Sequence, residues 1–145
     1  APRWVRRQSP AKGMARTPES VHRQRMKRDM TLIRAILLWA IDQPHGAVTG
    51  NPVIDGHSEE EIGYHVHLMQ QAGLVNAAGC QMIGDPSPRA LLLDVTWDGH
   101  EFAEAARDES LWRKASGAVL REGGSFTFGL IKRWLEAQAA GALGL

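Results

Sequence analysis

Ser58-Glu59-Glu60-Glu61-Ile62-Gly63-Tyr64-His65-Val66-His67-Leu68-Met69-Gln70-Gln71-Ala72-Gly73-Leu74 is the stretch on which the fold turns. Ser58 followed by Glu61 has capping-box spacing, and Glu59, Glu60 and Glu61 suit the positive end of a helix dipole. Gly73 supplies the stop, so a helix is predicted over about 59–72. At about 100° per residue its core face holds Ile62, His65, Val66, Leu68, Met69 and Ala72. The opposite stripe is Glu60, Gly63, Tyr64, His67, Gln70 and Gln71.

Downstream, Leu74–Met82 and Ala90–Val95 read as two strands, joined by a Gly84-Asp85-Pro86-Ser87-Pro88-Arg89 loop whose glycine and prolines belong at a tip. Thr96 or Asp98 then caps a return helix to about Arg107, and another helix runs from Glu109 to about Arg121. Gly123-Gly124 ends it. Ser125 or Thr127 can cap a last amphipathic helix with Ile131, Trp134 and Leu135 on one side. Upstream, Asp29 caps a helix to about Ile41, with Leu32, Ile33, Ile36, Leu37 and Ala40 at helical spacing. Between Asp42 and Ser58 only turn chemistry and a short extended Pro52-Val53-Ile54 appear.

This order predicts a mainly α chain with a small β-hairpin, an α+β class: a winged-helix-like three-helix core plus a C-terminal helical extension. One domain over 26–145 is expected within the 145 residues. Residues 1–25 lack hydrophobic periodicity and are expected to be a disordered basic extension. They are either sequence upstream of the folded product or a functional basic arm.

Charge divides the same way. Residues 1–25 carry seven basic residues against one acidic, whereas 26–145 carry ten against fifteen, a net of −5. Phosphate neutralisation usually asks for a basic face, so the acidic domain argues against DNA and for a protein partner. No apolar run is long enough to span a bilayer, and no membrane partner is expected. The single cysteine, Cys80, excludes an intramolecular disulfide and a thiolate-cluster metal site, and it suits a reducing cytoplasm.

Met26-Lys27-Arg28-Asp29-Met30-Thr31-Leu32-Ile33-Arg34, Ser58 to His65, Gln71-Ala72-Gly73-Leu74, and Thr96-Trp97-Asp98-Gly99-His100-Glu101-Phe102 together resemble a family of small uncharacterised bacterial and prophage-encoded proteins, known only as a domain of unknown function. The likeness spans about Met26 to Ala137. It implies that related proteins begin at the position of Met26, and it brings no catalytic or ligand residues. More loosely, the A-G-L step and the T-x-x-G turn are similar to those of winged-helix transcription regulators. The missing helix before Ser58 departs from that pattern.

Chemistry finds little footing. His65 and His67 point to different sides of one helix and cannot pinch a metal. No spacing draws His45, His57, His100 and Cys80 together. Asp98-Gly99-His100-Glu101 reads as a helix start, and Ser87, Ser110 and Ser125 lack a nucleophile elbow. No enzyme, cofactor or metal site is therefore expected, and His65 reads as a buried histidine held by a hydrogen bond.

The leading expectation is a non-enzymatic binding module of prophage or mobile-element type, with regulatory DNA binding as a homodimer as its sharpest form. Tyr64, His67, Gln70, Gln71 and Arg89 would make the contacts, with Lys27 and Arg28 on phosphates. Arg34 is a further cation near that surface. The alternative is a protein-interaction adaptor or inhibitor built on the acidic scaffold.

Overall fold

The computed structural model describes residues 26–48, 50–121, 128–142 and 144. The expected disorder of 1–25 and the caps at Ser125 and Thr127 lie outside them. Among the described residues five helices and one antiparallel hairpin form: α1 Met30–Ile41, α2 Glu59–Gln71, β1 Val75–Gly79, β2 Ala90–Val95, α3 Trp97–Ala105, α4 Glu109–Arg121 and α5 Phe128–Ala142. The class is mainly α with a two-stranded sheet.

α1 begins where the sequence places it, because the Asp29 carboxylate accepts the N–H groups of Thr31 and Leu32 at 3.0 and 3.2 Å. Its face of Leu32, Ile33, Ile36, Leu37 and Ala40 is buried against Ile62, Val66 and Met69 of α2 and Phe102 of α3 in one apolar core. No helix forms among the described residues between Asp42 and Ser58. That segment instead follows the free edge of β2. Ala47 bridges Asp94, and the Val48 N–H donates to the Leu93 carbonyl at 2.8 Å. The Asn51 amide then replaces a third strand, donating to the Ala90 carbonyl at 2.9 Å and accepting the Leu92 N–H at 2.8 Å. Read as turn chemistry from the sequence, Asn51 is a clamp on β2.

β1 is shorter than the expected 74–82. The strand register ends at Gly79 with Ala90, one more bond runs from the Cys80 N–H to the Arg89 carbonyl at 3.1 Å, and the chain then enters a turn closed by Met82 and Asp85. At the other end of β1 two sequence motifs prove to be one contact. Leu74 N–H donates to Met69 carbonyl at 2.9 Å and Gly73 N–H to Gln70 carbonyl at 3.0 Å, a Schellman ending with Gly73 at φ +79°. Thr96 caps α3 by accepting the Gly99 N–H at 3.1 Å, while its hydroxyl donates to the Gly73 carbonyl at 2.6 Å. The A-G-L step and the T-x-x-G turn thus lock the two ends of the hairpin together.

His65 is wholly buried and carries two hydrogen bonds. Its Nδ1–H donates to the Glu61 carbonyl at 2.8 Å, and its Nε2 accepts the Asp29 N–H at 2.9 Å. An Nε2 that accepts is unprotonated, so the ring is the neutral Nδ1–H tautomer. It ties the N-cap of α1 to the middle of α2. His65→Leu keeps most of the volume but orphans a part-buried backbone N–H, and should cost about 2 kcal/mol. Urea denaturation followed by circular dichroism will read this as a lower midpoint with an unchanged slope.

Arg34 departs from the expectation of a surface cation. It is 8% exposed. Its Nε donates to the Ala106 carbonyl at 2.7 Å and its Nη2 to the Arg107 carbonyl at 3.1 Å. Glu109 lies 3.2 Å away, and the guanidinium sits 5.4 Å from the centre of the Trp112 ring. Arg34 therefore satisfies the open carbonyls at the end of α3 and ties α1 to the start of α4. Next to it, Asp108 caps α4: the Leu111 N–H and the Ser110 hydroxyl, at 3.0 and 2.7 Å, hold its carboxyl below the ordinary aspartate range. Ile131 and Leu135 are buried in the same core and Trp134 is partly buried against it, the side that their spacing predicts, and Trp112 of α4 is buried there too.

Candidate nucleic-acid interface

α2 is enclosed on two sides. One carries Ile62, His65, Val66 and Met69 into the core. The hairpin and its loop cover the other, and they reassign part of the polar stripe. Gly63, expected to face water, is buried beneath Arg89: a Cβ built on Gly63 would lie 3.3 Å from Arg89 Cγ and 3.6 Å from its Nε. Arg89 is not a free cation of the loop. Its Nη1 lies 3.8 Å from Asp85, and its Nε is buried without a hydrogen-bond partner. Gln70 is exposed but turned to the hairpin, its amide donating to the Ala77 carbonyl at 3.0 Å.

The leading glutamates are also redistributed. Glu61 is buried, and its carboxylate reaches His57 Nδ1 at 2.8 Å, so the capping box is completed only from the Ser58 side, with Glu61 N–H to Ser58 Oγ at 3.0 Å. Glu60 accepts from the Ser87 hydroxyl at 3.3 Å. Glu59 remains exposed. Of three consecutive glutamates one is therefore buried, one is half-buried and one faces solvent.

What stays open is a narrower stripe. Tyr64 and His67 are partly exposed and stack on each other, with ring centroids 6.3 Å apart and 22° between planes. Gln71 is exposed, one helical turn beyond His67. Leu68 and Ala72, assigned to the core by the periodicity, are half-buried and exposed respectively, since the core direction is rotated towards Ile62 and Val66. Gln71, Leu68 and Ala72 line a recess of about 270 Å³ together with Arg28 and Ile33 at the start of α1. Lys27 and Arg28 are exposed and make no ion pair with another described residue. Of the seven residues expected to make contacts, Tyr64, His67 and Gln71 share one open stripe of α2, Arg28 lines the same recess as Gln71, and Lys27 is exposed next to Arg28 in the chain. Gln70 and Arg89 are held by the hairpin.

Among the described residues no group of three or more His, Cys, Asp or Glu side chains is placed to hold a metal, and no helix is long and apolar enough to cross a membrane. The family described as "Hypothetical protein (DUF2513)" matches residues 27–125. A Haemophilus influenzae protein named "Uncharacterized protein" is 34% identical over 97 residues, covering 65% of this chain and 79% of that protein. No solved structure matches.

Proposed function

The chain belongs to the DUF2513 family of hypothetical proteins, and from that premise we propose that it is a non-enzymatic, winged-helix-like DNA-binding module in which α2 reads the duplex and the hairpin is the wing. The observation that carries this reading is the open strip of Tyr64, His67 and Gln71, whose Gln71 end borders the Arg28 recess. Glutamine and histidine offer donors and acceptors for base edges, tyrosine can reach a phosphate, and Lys27 and Arg28 supply charge where the basic segment meets the fold. Glu61 is buried against His57 and Glu60 is tied to Ser87, which leaves Glu59 as the exposed carboxylate of the leading turn of α2. Regulation within a prophage or mobile element, as a cytoplasmic homodimer, is the setting that the proposal carries with it.

Chemical-shift mapping on the full chain with a short random-sequence duplex tests the surface. Shifts should concentrate at Lys27, Arg28, Tyr64, His67 and Gln71 and spare α4. Shifts confined to residues 1–25 would remove α2 from the account.

The second reading is an adaptor that binds a basic protein surface. It is favoured by the net −5 of residues 26–145 and by the exposed Glu59 at the leading turn of α2.

A further inference from the structure

Arg89 is a charge that the fold leaves short of partners. Its side chain is only 33% exposed, yet its guanidinium makes no hydrogen bond with a described residue. The nearest carboxylate, Asp85, stands 3.8 Å from Nη1, and Nε is enclosed without a partner. A guanidinium drawn partly out of water with its donors unused is costly, so such a group asks for a missing acceptor.

Arg89 lines a second recess, of about 140 Å³, set between the 51–57 segment, the first turn of α2 and the hairpin. Pro52, Val53, Ile62 and Leu91 give it apolar walls, and Glu59 is the one carboxylate of its lining. Glu59 is exposed and forms no ion pair with a described residue. Arg89 lies over Gly63, one helical turn along α2 from Glu59. One cation and one anion thus border the same apolar recess without closing on each other.

We infer that this recess binds a free α-amino acid with a small aliphatic side chain. Its carboxylate matches the planar fork of Arg89, and the long Asp85 contact leaves the guanidinium free to turn onto it. Its ammonium meets Glu59, and its side chain lies against Val53, Ile62 and Leu91. A simple anion would face the Glu59 carboxylate, and a simple cation would face Arg89; a zwitterion satisfies both. Size agrees, since a cavity of about 150 Å³ takes a group as large as benzene. The recess does not include Tyr64, His67 or Gln71, so the inference does not depend on the DNA reading.

The test titrates the full ¹⁵N-labelled chain with L-valine to about 10 mM, a range that detects even weak small-molecule binding. Saturable shifts should appear at the Arg89 Nε–Hε resonance and at the Val53 and Glu59 amides. Isovalerate, which lacks the ammonium, and valinamide, which lacks the carboxylate, should each bind at least about tenfold more weakly. Arg89→Gln should abolish the valine shifts. Glu59→Gln, at an exposed position, should keep the thermal midpoint, weaken valine about tenfold and leave isovalerate no weaker. No saturable shift at about 10 mM valine would leave a water-filled recess and overturn the inference. Isovalerate binding as tightly as valine, or Glu59→Gln binding valine like the wild type, would make this a plain anion site and overturn it equally. No readout involves a duplex, so failure here and failure of the DNA reading are separate results.

Discussion

Replacing Gly99 with alanine is expected to destabilise the protein by roughly 3 kcal/mol or more, the upper end of what overpacking costs. A Cβ at Gly99 would lie 2.0 Å from the Leu74 carbonyl oxygen and 2.6 Å from Val95 Cγ1. The first is a backbone atom that accepts the Thr96 N–H at 3.0 Å, so it cannot yield without opening the hairpin end. The Gly99 N–H is also the donor to Thr96 Oγ1, and α3 would shift off its cap as it moves away. Helix propensity favours alanine by about 1 kcal/mol and is outweighed. A thermal melt should show Tm lower by about 10 °C or more. Gly63→Ala is the control. There the obstruction at 3.3 Å is the flexible Arg89 side chain, and the change should stay within about 1 kcal/mol. Equal effects at the two glycines would contradict the packing described for the α3 start.

Arg34→Met is the second large effect, expected at about 3 kcal/mol. Methionine keeps much of the aliphatic stem against the core, but leaves the Ala106 and Arg107 carbonyls without the guanidinium that now reaches both. A hydrogen bond from a charged donor is worth about 1.5–3 kcal/mol where it is buried. The Glu109 pairing adds little, because that carboxylate is 60% exposed and returns to water when its partner is removed. Loss of the contact with Trp112 should appear as a change in tryptophan emission alongside the lower urea midpoint. A variant as stable as the wild type would show that the α3 end is satisfied without Arg34.

Local chemistry was legible in the sequence and long-range chemistry was not. Asp29, Ser58, Thr96 and Gly73 act on backbone groups within a few residues of themselves, so spacing alone reveals them. The burial of His65 follows from its angular position on α2, but its acceptor role does not, because the donor is an N–H 36 residues earlier. Arg34 was misplaced for a related reason: a charged residue beside a core face reads as surface until the open carbonyls of another helix are brought to it. Asn51, clamping β2, carries turn composition and gives no sign of its partner. The candidate interface was half legible. The stripe of Tyr64, His67 and Gln71 comes from periodicity, whereas the covering of Gly63 by Arg89 and the inward use of Glu60 and Glu61 depend on where the hairpin and His57 fall.

The central claim is that the open face of α2 contacts DNA. Fluorescence anisotropy of a labelled duplex titrated with the full chain at about 50 mM salt, where phosphate contacts are strong, tests it most directly. Binding should weaken as salt rises, with the salt slope reduced by about 1 for each of Lys27→Ala and Arg28→Ala. The double variant Tyr64→Ala, Gln71→Ala should bind at least about tenfold more weakly, while Lys114→Ala on α4 should leave binding unchanged. Absence of binding at that salt, or equal affinity for the wild type and the α2 double variant, would contradict the account.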